Sequence, residues 1–260
     1  MSYKNISVVD NKGLVTLTLD RPGVFNALDK LMLREIREAV SNGIKDNNLR
    51  GFVITGSGEK AFSAGADLEG LASLSAVEYY NFLEEALEVM EKIWTMRVPT
   101  IAAINGLALG GGCELALACD FRIAVPEARI GLPELNHGLL PGWGGVHFMS
   151  RILGRAKTLE LVLTGEPIKG EKALEIGLVT AIAHREQLLE EAEALIMKVD
   201  EKGPIAVRLV KEIVNNYQDT DIRKAFFHEA LCSMAAFVSE DARKGITAFS
   251  NNEKPFFEGK

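Results

Sequence analysis

Glu114 is the one charged residue in a run, Val98 to Cys119, that is otherwise apolar apart from Thr100 and Asn105. It stands one helical turn past Gly110-Gly111-Gly112, within LALGGGCELALACD (107–120). Glycines let a backbone approach a ligand closely. A helix start adds unpaired N–H groups and the positive end of the helix dipole. Together these features can hold an oxyanion, although tight helix–strand packing is a competing use of the same glycines. A carboxylate in apolar surroundings is costly unless it is paired or takes up a proton. Glu114 is therefore either half of a buried salt bridge or a functional acid. Glu134 is the second candidate: it follows Pro133 in a strand-like piece and precedes the turn Pro141-Gly142-Trp143-Gly144-Gly145. Its ordinary reading is a surface acid at a strand end. The third stretch, AFSAGADL (61–68), is a small-residue turn. Its amides could face the same point as those of 110–112, or Asp67 could simply cap a helix or pair locally. Two carboxylates meeting at one point could hold a water and move its proton, beside amides that stabilise a developing oxyanion.

Positioning such groups requires a scaffold of strands and helices, and the chain reads as one. Residues 6–19, ISVVDNKGLVTLTL, are two strands around the turn Asp10-Asn11-Lys12-Gly13. Asp29 opens a helix that runs to about Gly43, GFVIT (51–55) is a buried strand, and a long helix covers 76–96 before Val98-Pro99 stops it. IAAIN is a strand, Gly110–Gly112 open a helix, and strand-like pieces lie near 120–131. Helices are expected near 145–153, 156–163, 170–176, 186–199, 204–215 and 221–237. The alternation of strands and helices gives way to helices at about residue 180, which implies a mixed α/β core with a helical C-terminal part. Phe226, Phe227, Leu231, Met234, Phe237 and Phe249 make the stretch 221–250 apolar enough to cover a neighbouring surface, either this chain's own core or a partner subunit.

Bulk properties narrow the function classes. The 260 residues suit one large α/β domain, or one domain with a small appendage. The net charge of −7 argues against broad nucleic-acid or anionic-membrane binding. Three cysteines, Cys113, Cys119 and Cys232, show no CxxC spacing, so neither a disulfide framework nor a zinc site is expected and a reducing, cytoplasmic setting is read. Cys113 reads as a small buried filler and not a nucleophile. MSYKNISVVD lacks the pattern of a signal peptide, and Pro99, Asn105, the glycines and Glu114 argue against a membrane span over 98–119.

In order and spacing, these stretches resemble the crotonase superfamily and, within it, the enoyl-CoA hydratases. AFSAGADL resembles the first oxyanion loop, ALGGGCELALACD the second oxyanion loop with the first catalytic Glu, and LPELNHGLLPGWGG the second catalytic Glu with its glycine turn. RPGVFNAL (21–28) resembles the CoA-contact stretch and SEDARKGITAF (239–249) the C-terminal signature. The resemblance implies an α/β fold, the crotonase (ClpP-like) spiral of ββα turns with a C-terminal helical trimerisation region. A catalytic core over 1–195 and a helical region over 196–260 follow from it, assembled as a homotrimer or homohexamer. It implies that the N–H groups of Ala66 and Gly111 bind a thioester carbonyl oxygen. Glu114 and Glu134 hold the water added to C3, Glu134 delivers the proton to C2, and the Gly142 amide helps position the water. Coenzyme A enters as part of the acyl-CoA substrate, with no permanently bound cofactor and no metal. The resemblance places its contacts on Arg21, Phe25, Ala27, Lys60, Ala64, Asp67, Leu68, Phe249 and Lys254.

The chain departs from the family at several points. Basic residues common at the positions of Gly23, Glu69 and Asn252 are missing, which puts the phosphate contacts in doubt and leaves Arg21, Lys60 and Lys254 as alternative donors. An acyl carrier protein in place of CoA is the other reading. Val146–Arg151 and Trp143 are unusual, as is His137, which reads as a structural histidine with a pocket-lining place as the alternative. The segment 69–82 corresponds to the variable acyl-pocket wall. Competing functions are another crotonase activity, such as an enoyl-CoA isomerase or a hydratase of cyclic or branched groups, and a non-catalytic role such as binding AU-rich RNA, which the acidic balance disfavours.

Overall fold

Residues 3–216 and 220–260 are described by a computed structural model. The chain opens with a hairpin of β1 (Ile6–Asn11) and β2 (Leu14–Leu19), in which Asn11 faces Leu14 across a turn whose residues Lys12 and Gly13 both have positive φ. That turn matches the right-handed twist of the two strands. Helix α1 (Lys30–Lys45) starts where Asp29 accepts the Met32 N–H at 2.7 Å.

A repeating path follows. Strand pairs β3 (Gly51–Gly56) and β4 (Ala61–Ser63), β5 (Thr100–Ile104) and β6 (Leu107–Leu109), and β7 (Phe121–Ala124) and β8 (Arg129–Gly131) each divide between two sheets. Helices follow each pair: α2 (Leu68–Leu71) with α3 (Ala76–Trp94), then α4 (Gly111–Ala118), then α5 (Gly145–Thr164). The first sheet has the order β1-β2-β3-β5-β7-β10 and the second β4-β6-β8-β9, with β9 at Ile168–Lys169 and β10 at Ala181–Ile182. From β2 to β10 the first sheet is parallel, and β3 and β5 are buried along their whole length, as strands covered on both faces must be. This is the expected spiral of ββα turns.

The apolar run 98–119 forms β5, β6 and α4, and every residue of α4 is buried. Among the described residues no helix is long and apolar enough to cross a membrane. Arg122 lies under the C-terminal end of α4, donating to the carbonyls of Cys119 and Leu178 at 2.7 Å each. A cation there complements the negative end of the helix dipole.

The chain continues through α6 (Gly170–Glu175), α7 (Leu188–Asp200), α8 (Pro204–Asn216), α9 (Ile222–Phe237) and α10 (Glu240–Asn251). Two expectations need correction. The helices expected at 145–153 and 156–163 are one element broken at Gly154, whose φ of 73° and ψ of 171° interrupt the spiral. Glu134 sits in a 3₁₀ turn, Glu134–His137, and not in a strand, because Pro133 leads straight into the turn. The 195/196 boundary falls inside α7, where Ile196 is fully buried and presses on Gly51.

Candidate active site

The site is assembled from two backbone loops in direct contact. In the first, Gly65 adopts φ +98° and Ser63 Oγ accepts its N–H at 3.1 Å. Leu28 then bridges the loop: its N–H donates to Gly65 O at 2.8 Å and its carbonyl accepts the Asp67 N–H at 3.0 Å. The Ala66 N–H between them has no partner among the described residues. In the second loop, Gly110 has φ 51° and donates to Gly131 O at 3.0 Å, and Gly111 begins α4 with an N–H that likewise has no partner among the described residues. A Cβ on Gly65 would lie 3.1 Å from Gly111 N, and one on Gly112 only 2.4 Å from Ser63 O. Close approach of the two loops therefore requires glycine there, and it brings both free donors to one cleft lined by Gly65, Ala66, Gly110 and Gly111.

Both acids open into the same cleft. Glu114 is 2% exposed, and its Oε1 accepts the N–H groups of Trp143 and Gly145 at 2.8 Å each. Gly145 is the first residue of α5, so the carboxylate occupies the N-terminus of that helix. Amides, and not a cation, are what hold this acid, so the salt-bridge alternative gives way. Burial pushes its pKa up to about 7; the two N–H bonds pull it back, and the charge of Glu134 adds to the rise. Glu134 places Oε1 3.0 Å from where a Cβ on Gly110 would stand. Its Oε2 is buried and has no hydrogen-bond partner among the described residues. Burial raises its pKa too, opposed by a bond from its own backbone and by His137. His137 lines the cleft, so the pocket-lining alternative is the one realised. Gly142 also lines the cleft, packed so tightly that a Cβ would lie 2.8 Å from Leu83 Cδ2.

The wall of the cleft is apolar. Trp143 and Phe82, each 3% exposed, meet edge to face with centroids 5.5 Å apart, and Leu68, Leu71, Tyr79, Leu83 and Leu140 are among the other lining residues. The indole lies over Gly111, where a Cβ would come within 2.1 Å of it. What motif reading missed is that the backbone N–H groups of Trp143 and Gly145 hold Glu114. The available signal was the glycine turn ahead of a helical pattern, which marks a helix N-terminus able to receive an acid.

The stretch 21–28 packs on the 61–67 loop. Phe25 O accepts the Ala64 N–H at 2.9 Å, and Asn26, fully buried, donates to Ala61 O at 2.8 Å. Arg21 donates to Ala27 O at 2.8 Å and pairs with Asp29 and Asp67 at 3.1 and 3.2 Å, so its guanidinium already braces this junction. Phe25, Lys60 and Leu68 are exposed, and Ala64 and Leu68 line the cleft. Phe249 and Lys254 are not brought to the cleft: Phe249 stands 87% exposed on α10, and Lys254 pairs with Glu201 at 2.8 Å.

A spiral of ββα turns with two unpartnered backbone N–H groups and two acids in one cleft has the arrangement of a crotonase-fold protein. Residues 10–260 match the Enoyl-CoA hydratase/isomerase family, and the chain belongs to it. It is 40% identical to the crotonyl-CoA hydratase of Syntrophomonas wolfei over 99% of both chains. It is 34% identical to the short-chain-enoyl-CoA hydratase of Clostridium acetobutylicum over 98% of this chain and 97% of that one. The crystal structure of the enoyl-CoA hydratase of Bacillus anthracis superposes with a TM-score of 0.94 at 36% identity, covering 99% of this chain and 100% of that one.

Proposed function

We propose that the protein is an enoyl-CoA hydratase that adds water across the 2,3 double bond of a short-chain 2-enoyl-CoA, reversibly giving the 3-hydroxyacyl-CoA. The observation that carries this reading is the shared cleft, in which the free N–H groups of Ala66 and Gly111 face both carboxylates. The thioester carbonyl oxygen accepts those two N–H groups and gathers charge as an enolate develops. Preorganised donors of this kind are worth about 2.7–4 kcal/mol each. Water bonds to C3 through its oxygen and gives one proton to Glu114, while Glu134 gives its proton to C2 and the π bond is lost. One water is added, and proton exchange between the acids restores the starting state. Two N–H bonds favour the charged form of Glu114, against one from its own backbone on Glu134, which supports base and acid in that order. The Gly142 amide, which lines the same cleft, orients the water in this scheme.

The short acyl class rests on the wall formed by Trp143 and Phe82 against Gly111, and the hydratases named for crotonyl and short-chain substrates support it. No residue of the site requires a resident cofactor, and coenzyme A enters with the substrate. Phe25, Ala27, Ala64 and Leu68 flank its thioester end, with Arg21 and Asp67 holding that wall and the exposed Lys60 as a cation for a phosphate. Phe249 and Lys254 reach a CoA only if the C-terminal region of another subunit supplies them, in a cytoplasmic homotrimer or homohexamer.

The test is the loss of conjugated enoyl-thioester absorbance with crotonyl-CoA. Steady hydration supports the assignment. Inert crotonyl-CoA alongside isomerisation of a β,γ-enoyl thioester overturns it in favour of an isomerase.

A further inference from the structure

Outside the cleft, one group of side chains among the described residues has the composition and spacing of a metal site. We propose that Glu212, His228 and Cys232 bind a borderline-soft divalent cation, with zinc as the reference ion. His228 and Cys232 lie four residues apart on α9 and so share one face of that helix, and Glu212 reaches them from α8. His228 Nε2 is 3.3 Å from Glu212 Oε1 and 3.5 Å from Cys232 Sγ, and the three ligand atoms lie within 4.8 Å of one another.

The two spacings from His228 match a tetrahedral ion. Zinc–sulfur and zinc–nitrogen bonds of about 2.3 and about 2.0–2.1 Å, meeting at the tetrahedral angle, leave sulfur and nitrogen about 3.5 Å apart. The same construction for nitrogen and a carboxylate oxygen gives about 3.3 Å. Convergence on a single ring nitrogen is the second telling feature. A nucleophile–histidine–carboxylate relay uses opposite nitrogens of the imidazole, so that one accepts and the other donates. Here thiol and carboxylate both approach Nε2, as ligands around a common ion do.

The surroundings suit a cation. Glu229 adds a second negative charge near the thiol. Cys232 is shielded at 7% exposure, while the side chains of His228 and Glu212 are 40% and 48% exposed, which gives an ion a way in from solvent. Three protein ligands leave the fourth position to water. None of the three residues lines the acyl cleft. A bound ion would tie α8, which has no buried residue, to α9, whose one buried residue is Cys232 itself.

The test uses chelator-treated full-length protein titrated with Co²⁺ as a spectroscopic probe and with Zn²⁺ as competitor. Expected are one equivalent per chain, a thiolate-to-cobalt charge-transfer band in the near ultraviolet, and bleaching of that band by Zn²⁺. Cys232→Ser should abolish the band, and both it and His228→Ala should weaken Zn²⁺ binding by at least ~100-fold, with Glu212→Gln weakening it by ~10-fold. Circular dichroism checks each variant's fold; the half-exposed His228 and Glu212 carry the comparison if Cys232→Ser does not fold. The proposal is overturned by an absence of saturable binding, by a cobalt spectrum without the thiolate band, or by binding that survives both Cys232→Ser and His228→Ala.

Discussion

The carboxylate of Glu114 is buried among apolar side chains and held by two amides, and burial outweighs those bonds, pushing its pKa from 4.5 up to about 7. An acid whose folded pKa is raised binds its proton more tightly in the native state than in the unfolded one. Native stability is therefore fullest below about pH 4.5 for this group and declines as pH rises through about 7. The shift corresponds to about 3 kcal/mol. Glu114→Gln removes the charge and keeps an oxygen to accept both N–H groups. It should be more stable than wild type by about 1–3 kcal/mol at pH 8 and by nothing at pH 4. Denaturant melts at the two pH values check this, and a difference independent of pH would mean that the carboxylate is not charged at a cost. Glu134→Gln addresses chemistry: kcat should fall by ~10²–10⁴ with KM for crotonyl-CoA within a few-fold, because the amide still fills the cleft but gives no proton. Wild-type turnover in that variant would remove Glu134 from the mechanism. Because the proposed chemistry needs one acid charged and the other protonated, the rate should decline both when the second proton arrives at low pH and when the last one leaves at high pH, as a pH–kcat/KM profile would record.

At the scale of elements, local signals account for what was legible. Asp29 ahead of an apolar period announced α1, Ser75 with Glu78 forms the capping box of α3, and the β1–β2 turn carries its own glycine. Strands of two or three residues such as β4, β6, β9 and β10 show no period long enough to read, and their pairing is set by distant partners. Likewise, the three site stretches were each visible, but their meeting depends on contacts such as Gly112 against Ser63, which no local pattern encodes. The Gly65 turn is where element geometry sets the proposed oxyanion donor. Alanine there would be strained at φ +98° and would bring its Cβ to 2.7 Å from Leu109 O. Gly65→Ala should thus lower stability by about 1–2 kcal/mol and reduce kcat by more than that loss explains, since the Ala66 N–H is re-aimed. Thermal melts and kinetics on the same preparation separate the two effects. Trp143→Ala should raise the kcat/KM ratio of octenoyl-CoA over crotonyl-CoA by at least ~10-fold, while costing about 3–5 kcal/mol of stability. An unchanged ratio in folded protein would place the acyl limit elsewhere.

The molecule as a whole is built unevenly. Residues from β1 to α7 bury a continuous core, while α8 has no buried residue, α9 buries Cys232 alone, and α10 buries Asp241 and Ala248. Phe226, Phe227, Met234, Phe237 and Phe249 are all at least 59% exposed on these helices. Monomeric proteins rarely expose so many large apolar side chains together, and burying each is worth roughly 1.5–3 kcal/mol. What holds the helices in place is polar: Lys211 pairs with Asp120, and Asp241 accepts the Glu258 and Gly259 N–H groups at 2.8 and 2.7 Å. Such ties fix position without covering the phenylalanines, and a second copy of the chain would cover them. For the proposed homotrimer or homohexamer, light scattering should return a mass about three or six times 28.3 kDa. Phe226→Asp with Phe237→Asp should shift it to the single-chain value, with the α/β core still folded by circular dichroism. Loss of assembly should weaken CoA binding as well, if Phe249 and Lys254 act on a neighbour's substrate. A wild-type mass of one chain would leave those phenylalanines without a partner and would remove the C-terminal helices from any role in subunit contact.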